Sequence, residues 1–331
     1  MTTRRTFIAG TVGFTAGLAA PLAWAQDKPA ARIFRVGLLV PVERAANEAN
    51  LGEFRKALKD AGFSEGQNLQ LEYRAGDARA ERYPALAADL GKVKVDVIVT
   101  NGTPATLAAM KVPGDIPVIT AGVVDPVETG AVASLEKPGG KVTGVAVLTK
   151  ELEAKRLELL KALAPGIKRV AAFMDMGNPG IVSVWKAVEA AAPGLGLQAQ
   201  LYDVRKGSKL SKSFDAAMKQ KAEGFIVRIG TLTDDERKSV VDLAAKHRLP
   251  AIYAVREYPE IGGHMSYGLN NAHMYERAAG FVAKILKGAK PADLEMERPT
   301  KFEFIINRKT ARALALVIPP DLLLRSDKVL G

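Results

Sequence analysis

The chain has 331 residues and no cysteine, which excludes disulfides, thiol catalysis and any cysteine-held metal or iron–sulfur centre. Its formal charge of +11, from 47 Lys and Arg against 36 Asp and Glu, raises nucleic acid as a partner. The basic residues are spread among acidic ones, however, with no basic arm or basic–aromatic alternation, so no nucleic acid is expected and the excess reads as a solvated basic surface. The mixed run from Lys150 to Glu158, with Lys155 and Arg156, is read the same way.

The N-terminus comes first in chain order. Arg4-Arg5-Thr6-Phe7-Ile8 precedes an uncharged stretch diluted by Gly10, Gly13 and Gly17, which ends in Ala23-Trp24-Ala25. A basic start, a short apolar core and a small-x-small end describe a secretory signal peptide over residues 1–25, cleaved near Ala25. The paired arginines suggest the twin-arginine (Tat) route. The apolar core is shorter than the ~20 residues a spanning helix needs. A periplasmic location is therefore expected.

From Arg32 onward, short β-branched runs alternate with amphipathic stretches. Arg35–Val40 reads as a strand stopped by Pro41. Leu51, Phe54, Ala57, Leu58 and Ala61 then recur at helical spacing. Leu69–Tyr73 is a strand, Pro84–Leu90 a helix and Val95–Thr100 a strand. Thr103 follows as a helix cap, with Pro104 as the first helical residue. Ile116–Thr120 and Val142–Leu148 are strands. The rhythm then restarts: helix to Leu163, strand Arg169–Met174, helix Ile181–Ala191, strand Leu197–Val204, helix Leu210–Lys221, strand Phe225–Val227, helix Asp234–His247 and strand Ala251–Ala254. Gly262–Gly268 holds a short strand, Asn271–Lys287 a helix, Lys301–Ile306 a strand and Lys309–Leu316 a last helix.

Strands alternating with helices imply parallel sheets covered on both faces. Two such sets predict an α/β chain of two doubly wound, Rossmann-like lobes. The strand–helix–strand tail implies re-crossing, with three hinge segments near Leu148, Tyr267 and Pro299. The lobes are then residues 32–147 with 268–298, and 148–267 with 299–331.

The catalytic inventory is thin. His247, His264 and His273 lack metal-ligand spacing, and no nucleophile elbow, phosphate loop or dinucleotide fingerprint is present. No enzyme activity, cofactor or metal is expected. Polar residues do stand at the C-terminal ends of strands, the edge where doubly wound sheets bind ligands. Asn101, Thr103, Val124 and Asp125 come from the first lobe; Asp175, Asn178, Arg228, Thr231, Tyr253 and Glu257 come from the second, with Tyr267 on the hinge strand. The helix start at Thr103-Pro104 would suit a carboxylate. Each also has a plain structural use: turn or cap for Asn101, Thr103, Asp175 and Asn178, core packing for Tyr253 and Tyr267. A guanidinium closing an apolar strand, as Arg228 does, needs an anionic partner, either Asp175, Glu257 or a ligand.

These residues lie within runs that carry a resemblance. Val95–Ala105, Asp125-Pro126-Val127, Lys137–Gly144, Lys155–Leu160, His247–Tyr253, Met265–Gly268, Ile285–Leu294 and Pro299–Glu303 together resemble the ABC transporter substrate-binding proteins of the family that includes tryptophan- and tyrosine-binding members. The resemblance spans nearly all of the chain after the signal segment. It implies a type I periplasmic-binding fold, a solute held between the lobes and the membrane permease subunits of an importer as partners; the solute itself is expected to be small and carboxylate-bearing, and the protein a monomer. It also implies that the loops at Asn101–Thr103, Val124-Asp125, Asp175–Asn178 and Arg228–Thr231 approach the ligand. Arg228-Ile229-Gly230-Thr231 departs from the Leu-Pro-Asp-like stretch of many relatives and points to a more acidic solute than an aromatic amino acid. A sensory protein reporting the solute to a membrane kinase or chemoreceptor is the alternative.

Overall fold

The computed structural model describes residues 32–77, 79–205, 210–228 and 234–331; the segment read as a signal peptide and Thr231 lie outside the described residues. In chain order the elements are β1 (Phe34–Val40), α1 (Glu48–Asp60), β2 (Leu69–Ala75), α2 (Tyr83–Lys92), β3 (Val97–Thr100), α3 (Thr103–Met110), β4 (Val118–Val124) and β5 (Val142–Val147). There follow α4 (Thr149–Leu163), β6 (Arg169–Met174), α5 (Pro179–Ala191), β7 (Gln198–Asp203), α6 (Leu210–Lys219), β8 (Gly224–Arg228), α7 (Asp234–Lys246) and β9 (Ala251–Tyr253). The chain ends with α8 (Glu257–Glu260), β10 (Met265–Leu269), α9 (Asn271–Leu286), β11 (Phe302–Asn307), α10 (Arg308–Ala313), α11 (Pro320–Arg325) and β12 (Lys328–Leu330).

Two sheets result, one for each half of the alternation. The first is parallel, in the order β2-β1-β3-β4-β5. The second runs β12-β11-β10-β9-β8-β6-β7 and is parallel except where β11 pairs antiparallel with β10. Its stretch from β10 to β7 repeats the order of the first sheet, with β6 in the place of β1. In both, the winding reverses direction beside the first strand, and this reversal leaves a crevice at the C-terminal strand edge.

Period-two alternation explains why both faces of each sheet are covered. Val36, Leu38, Val97 and Val99 face α1 and α9, meeting Phe54, Leu58, Tyr275 and Val282. Leu39, Ile98 and Val118 face the other way, onto Tyr83, Leu90, Ala105 and Ala109 of α2 and α3. In the second sheet Val170, Ala172 and Ile226 pack on Leu157 and Leu160 of α4 and Val184 of α5. Phe173, Phe225 and Val227 pack on Phe214 of α6 and Val240 of α7.

The chain passes between the sheets three times. It leaves the first between β5 and α4 and returns between β10 and α9. It then pairs Glu297 with Val145 beside β5 before entering β11. The second passage follows Leu269, slightly later than the sequence placed it, because β10 pairs with Phe302 up to that residue. The short helices α8 and α11 and the edge strand β12 are not among the predicted elements. Pro320 opens α11, where its missing N–H costs nothing.

His264 is buried just before β10, and neither ring nitrogen has a hydrogen-bond partner. Burial lowers its pKa to about 4. The unfolded imidazole takes a proton near pH 6.5 that the folded one refuses, so stability contributed by the neutral ring is full above pH 6.5 and lost as pH falls toward 4. The loss expected is about 3 kcal/mol. Urea unfolding from pH 7.5 to 4.5 checks this against His264→Phe, whose stability should fall less steeply with acid. Equal slopes in both proteins would contradict a neutral buried ring.

Candidate functional site

The two crevices face one another and merge into a single cleft with a cavity volume of about 180 Å³. From the first sheet come Pro41 after β1, Asn101–Pro104 after β3, and Gly122 and Val124 of β4; Asn271 and Met274 of α9 close that side. From the second come Asp175 and Asn178 after β6, Arg228 at the end of β8, and Ala254 and Val255 after β9. Leu152 and Arg156 of α4 and Ile181 of α5 complete the wall. The floor is apolar: Val124, Val147 and Met274 share one packed cluster with Leu152, Met174 and Ile181.

Local sequence explains the first wall. Gly102 holds φ 93°, a left-handed backbone that favours glycine, and turns β3 directly into α3. Gly102 rather than Thr103 therefore occupies the cap, and Thr103 is the first helical residue. The Thr103 hydroxyl is buried and accepts the N–H of Val124 at 3.2 Å, tying α3 to β4. On the second wall, Asn178 caps α5 by accepting the N–H of Gly180 at 3.0 Å. Asp175 accepts the N–H of Gly177 at 2.9 Å, and desolvation raises its pKa.

Six of the eleven residues singled out from sequence thus line the cleft: Asn101, Thr103, Val124, Asp175, Asn178 and Arg228. The structure places four others elsewhere, and Thr231 lies outside the described residues. Asp125 turns away from the cleft because its carboxylate caps α4 across the first passage, accepting the Thr149 N–H at 3.2 Å and the Thr149 hydroxyl at 2.6 Å. Tyr253 is a core residue, stacked on Tyr258 with ring centres 4.3 Å apart. Tyr267 stacks on Phe302 at 5.8 Å. Glu257 opens α8 and does not line the cleft.

The sequence reading missed Arg156. Lys150–Glu158 is not uniformly solvated surface, because Glu153 and Arg156 are buried in its midst. Arg156 occupies the apolar stripe of α4, between Leu152 and Leu160, and a charge on such a stripe is the signal that could have found it. It forms an ion pair with Glu153 one turn earlier and donates from Nε to the Tyr267 carbonyl at 2.7 Å. Arg228, for which Asp175 and Glu257 were the expected protein partners, instead approaches Glu153, with Nε 3.7 Å from Oε1. Desolvation lowers the pKa of Arg156 to about 10; Glu153 opposes the shift and Arg228 adds to it. Two guanidiniums therefore share one carboxylate. Neither Oε2 of Glu153 nor Nε of Arg228 has a hydrogen-bond partner.

The two halves also touch directly. The Ser183 hydroxyl on α5 donates to Glu128 beyond β4 at 2.7 Å. Gly180 lies so close to the first half that a Cβ there would meet the Thr103 hydroxyl oxygen at 2.6 Å and Val124 Cβ at 2.9 Å.

Among the described residues, no three His, Asp or Glu side chains are grouped to hold a metal ion, and no helix is long and apolar enough to cross a membrane.

Comparison with known proteins gives consistent matches. The model of a family described as ABC transporter substrate binding protein matches residues 35–330. A tyrosine-binding protein of Clostridioides difficile (strain R20291) is 26% identical over 284 residues, 84% of this chain and 80% of the relative. Among solved structures, an ABC domain in complex with L-Trp from Streptococcus pneumonia is 23% identical with a TM-score of 0.83, covering 90% of this chain and all of that one. A ligand-free, open substrate binding protein with adhesive properties from Clostridium difficile is also 23% identical, with a TM-score of 0.67, covering 90% of this chain and 99% of that one.

Proposed function

The chain belongs to the ABC transporter substrate binding protein family, and on that premise we propose that it captures a small carboxylate-bearing solute for the membrane permease of an ATP-driven importer. The observation that carries this reading is the cleft itself, whose walls come from the winding reversals of both sheets. A solute there contacts both halves only when they are together, so its binding energy favours the closed state. The moving halves are residues 32–147 with 268–298 and residues 148–267 with 299–331. The Ser183–Glu128 hydrogen bond and the fit of Gly180 against Thr103 support such closure, since both join one half to the other. A tyrosine-binding relative and an L-Trp-bound neighbour support a carboxylate as the common feature of the solute. On this reading the protein works outside the cytoplasmic membrane after losing residues 1–25, acts as a monomer, and performs no bond chemistry.

A thermal-melt panel of amino acids, organic acids, aromatic acids, sugars and nucleosides tests the proposal. At a hundred times Kd, the carboxylate that fits should add about 2.7 kcal/mol, or roughly 5–10 °C in Tm. Stabilisation by sugars or nucleosides alone, or by nothing in the panel, would overturn it.

A further inference from the structure

The buried charges on the second wall narrow the solute further. Arg156 and Arg228 both line the cleft, while Glu153, their shared counter-ion, is fully buried and not among its lining residues. Two cations and one anion leave the cluster with a net positive charge in a place where water cannot solvate it well. An uncompensated charge of that kind is costly unless an anion arrives to complete it. Guanidiniums are suited to the task, since a planar fork meets both oxygens of a carboxylate.

The other described charge on the wall, Asp175, interacts with Asp203 and Arg205 and not with this cluster. Among the described residues that line the cleft, Asp175 is the one carboxylate, and it already accepts the Gly177 N–H; nearby Arg205 is ion-paired with Asp203. A zwitterionic amino acid seated on the arginines would bring an ammonium group beside a cluster that already carries one cation in excess. A deaminated acid would bring only the anion that the arginine cluster lacks.

We infer that the solute is a carboxylic acid without an ammonium group, and that an anionic group of it rests on the Arg156–Arg228 pair. This rests on the carboxylate reading above and sets the chain apart from the tyrosine-binding relative. Specificity follows from charge count: Arg228 is the residue that decides between acid and amino acid, because removing it leaves Arg156 and Glu153 as a neutral pair.

Titration calorimetry on matched pairs tests this: L-tyrosine with 3-(4-hydroxyphenyl)propionate, L-leucine with 4-methylpentanoate, and L-glutamate with glutarate. At least one deaminated acid should bind more than tenfold tighter than its amino acid partner. Arg228→Gln should weaken that acid about 10- to 100-fold, the cost of a lost charged hydrogen bond. Its melting temperature without ligand should not fall, since the remaining pair is neutral, and Arg228→Lys should recover part of the affinity. Tighter binding of the amino acid within a pair, with its loss in Asp175→Asn, would overturn the inference while leaving the carboxylate reading intact. Unchanged acid affinity in Arg228→Gln would likewise overturn it. Silence from every acid and amino acid would instead contradict the carboxylate reading beneath it.

Discussion

Glu153→Gln should lower stability by about 3–5 kcal/mol, the cost of leaving a buried ion without its partner. That corresponds to roughly 6–15 °C in Tm for a chain of this size. The substitution keeps the shape of the side chain and removes only its charge, so packing of α4 against the second sheet is undisturbed. What remains is Arg156, buried, with Arg228 nearby and no carboxylate between them. Pairing Glu153→Gln with Arg156→Met should recover much of the loss, because an apolar side chain on the α4 stripe completes the row from Leu152 to Leu160. Thermal and urea unfolding of the two variants decide the matter. A Glu153→Gln protein within 1 kcal/mol of the parent, on the order of an exposed pair, would mean that the cluster is solvated and carries little electrostatic weight.

Gly180→Val should abolish capture without damaging the fold. A Cβ at this position would collide with the Thr103 hydroxyl and with Val124, both on the opposite half. Gly180 lies in the first turn of α5, where valine is no poorer a helix residue than glycine. The free protein should therefore melt near the parental temperature, with its halves held apart. If closure is required for tight binding, affinity falls with the population of the closed state, by about 100-fold or more. Gly180→Ala should give an intermediate loss, and Ser183→Ala, which removes one exchangeable hydrogen bond, a small one. Calorimetry with the best acid of the panel measures all three. Parental affinity in Gly180→Val would show that the contact between α5 and Thr103 plays no part in holding the ligand.

Most of the fold was legible because its signals are periodic. The continuous apolar runs within Arg35–Val40 and Arg169–Met174 are those of strands buried on both faces of a parallel sheet, and the stripe of α9 is that of a helix packed along one side. The C-terminal tail was less legible: β12 is three residues long and is defined by its pairing with β11, not by its own composition.

The candidate site was legible only in part. Asn101, Thr103, Asp175 and Asn178 could be placed because topology alone puts the ends of β3 and β6 beside the reversals. Asp125 follows β4, Tyr253 ends β9 and Tyr267 lies within β10, yet each is engaged by a neighbour distant in sequence, Thr149 or Phe302, or close at hand, Tyr258. Sequence order does not reveal such partners. Arg156 went unread for the opposite reason. A charge within a mixed run looks solvated unless its position on the helical stripe is weighed, and the stripe places it inward. Glu153, three residues earlier, gains its meaning only from Arg228, which arrives from another strand.

The most direct test measures the separation of the two halves in solution. The chain has no cysteine, so Lys59→Cys on α1 and Lys219→Cys on α6 would carry the only spin labels, one on each half and both at exposed positions. Double electron–electron resonance should give a broad distance distribution without ligand, collapsing to one narrow distance when the stabilising acid is added, and remaining broad in Gly180→Val. A distribution that stays the same while the acid still raises Tm would place the ligand somewhere other than a cleft that closes on it.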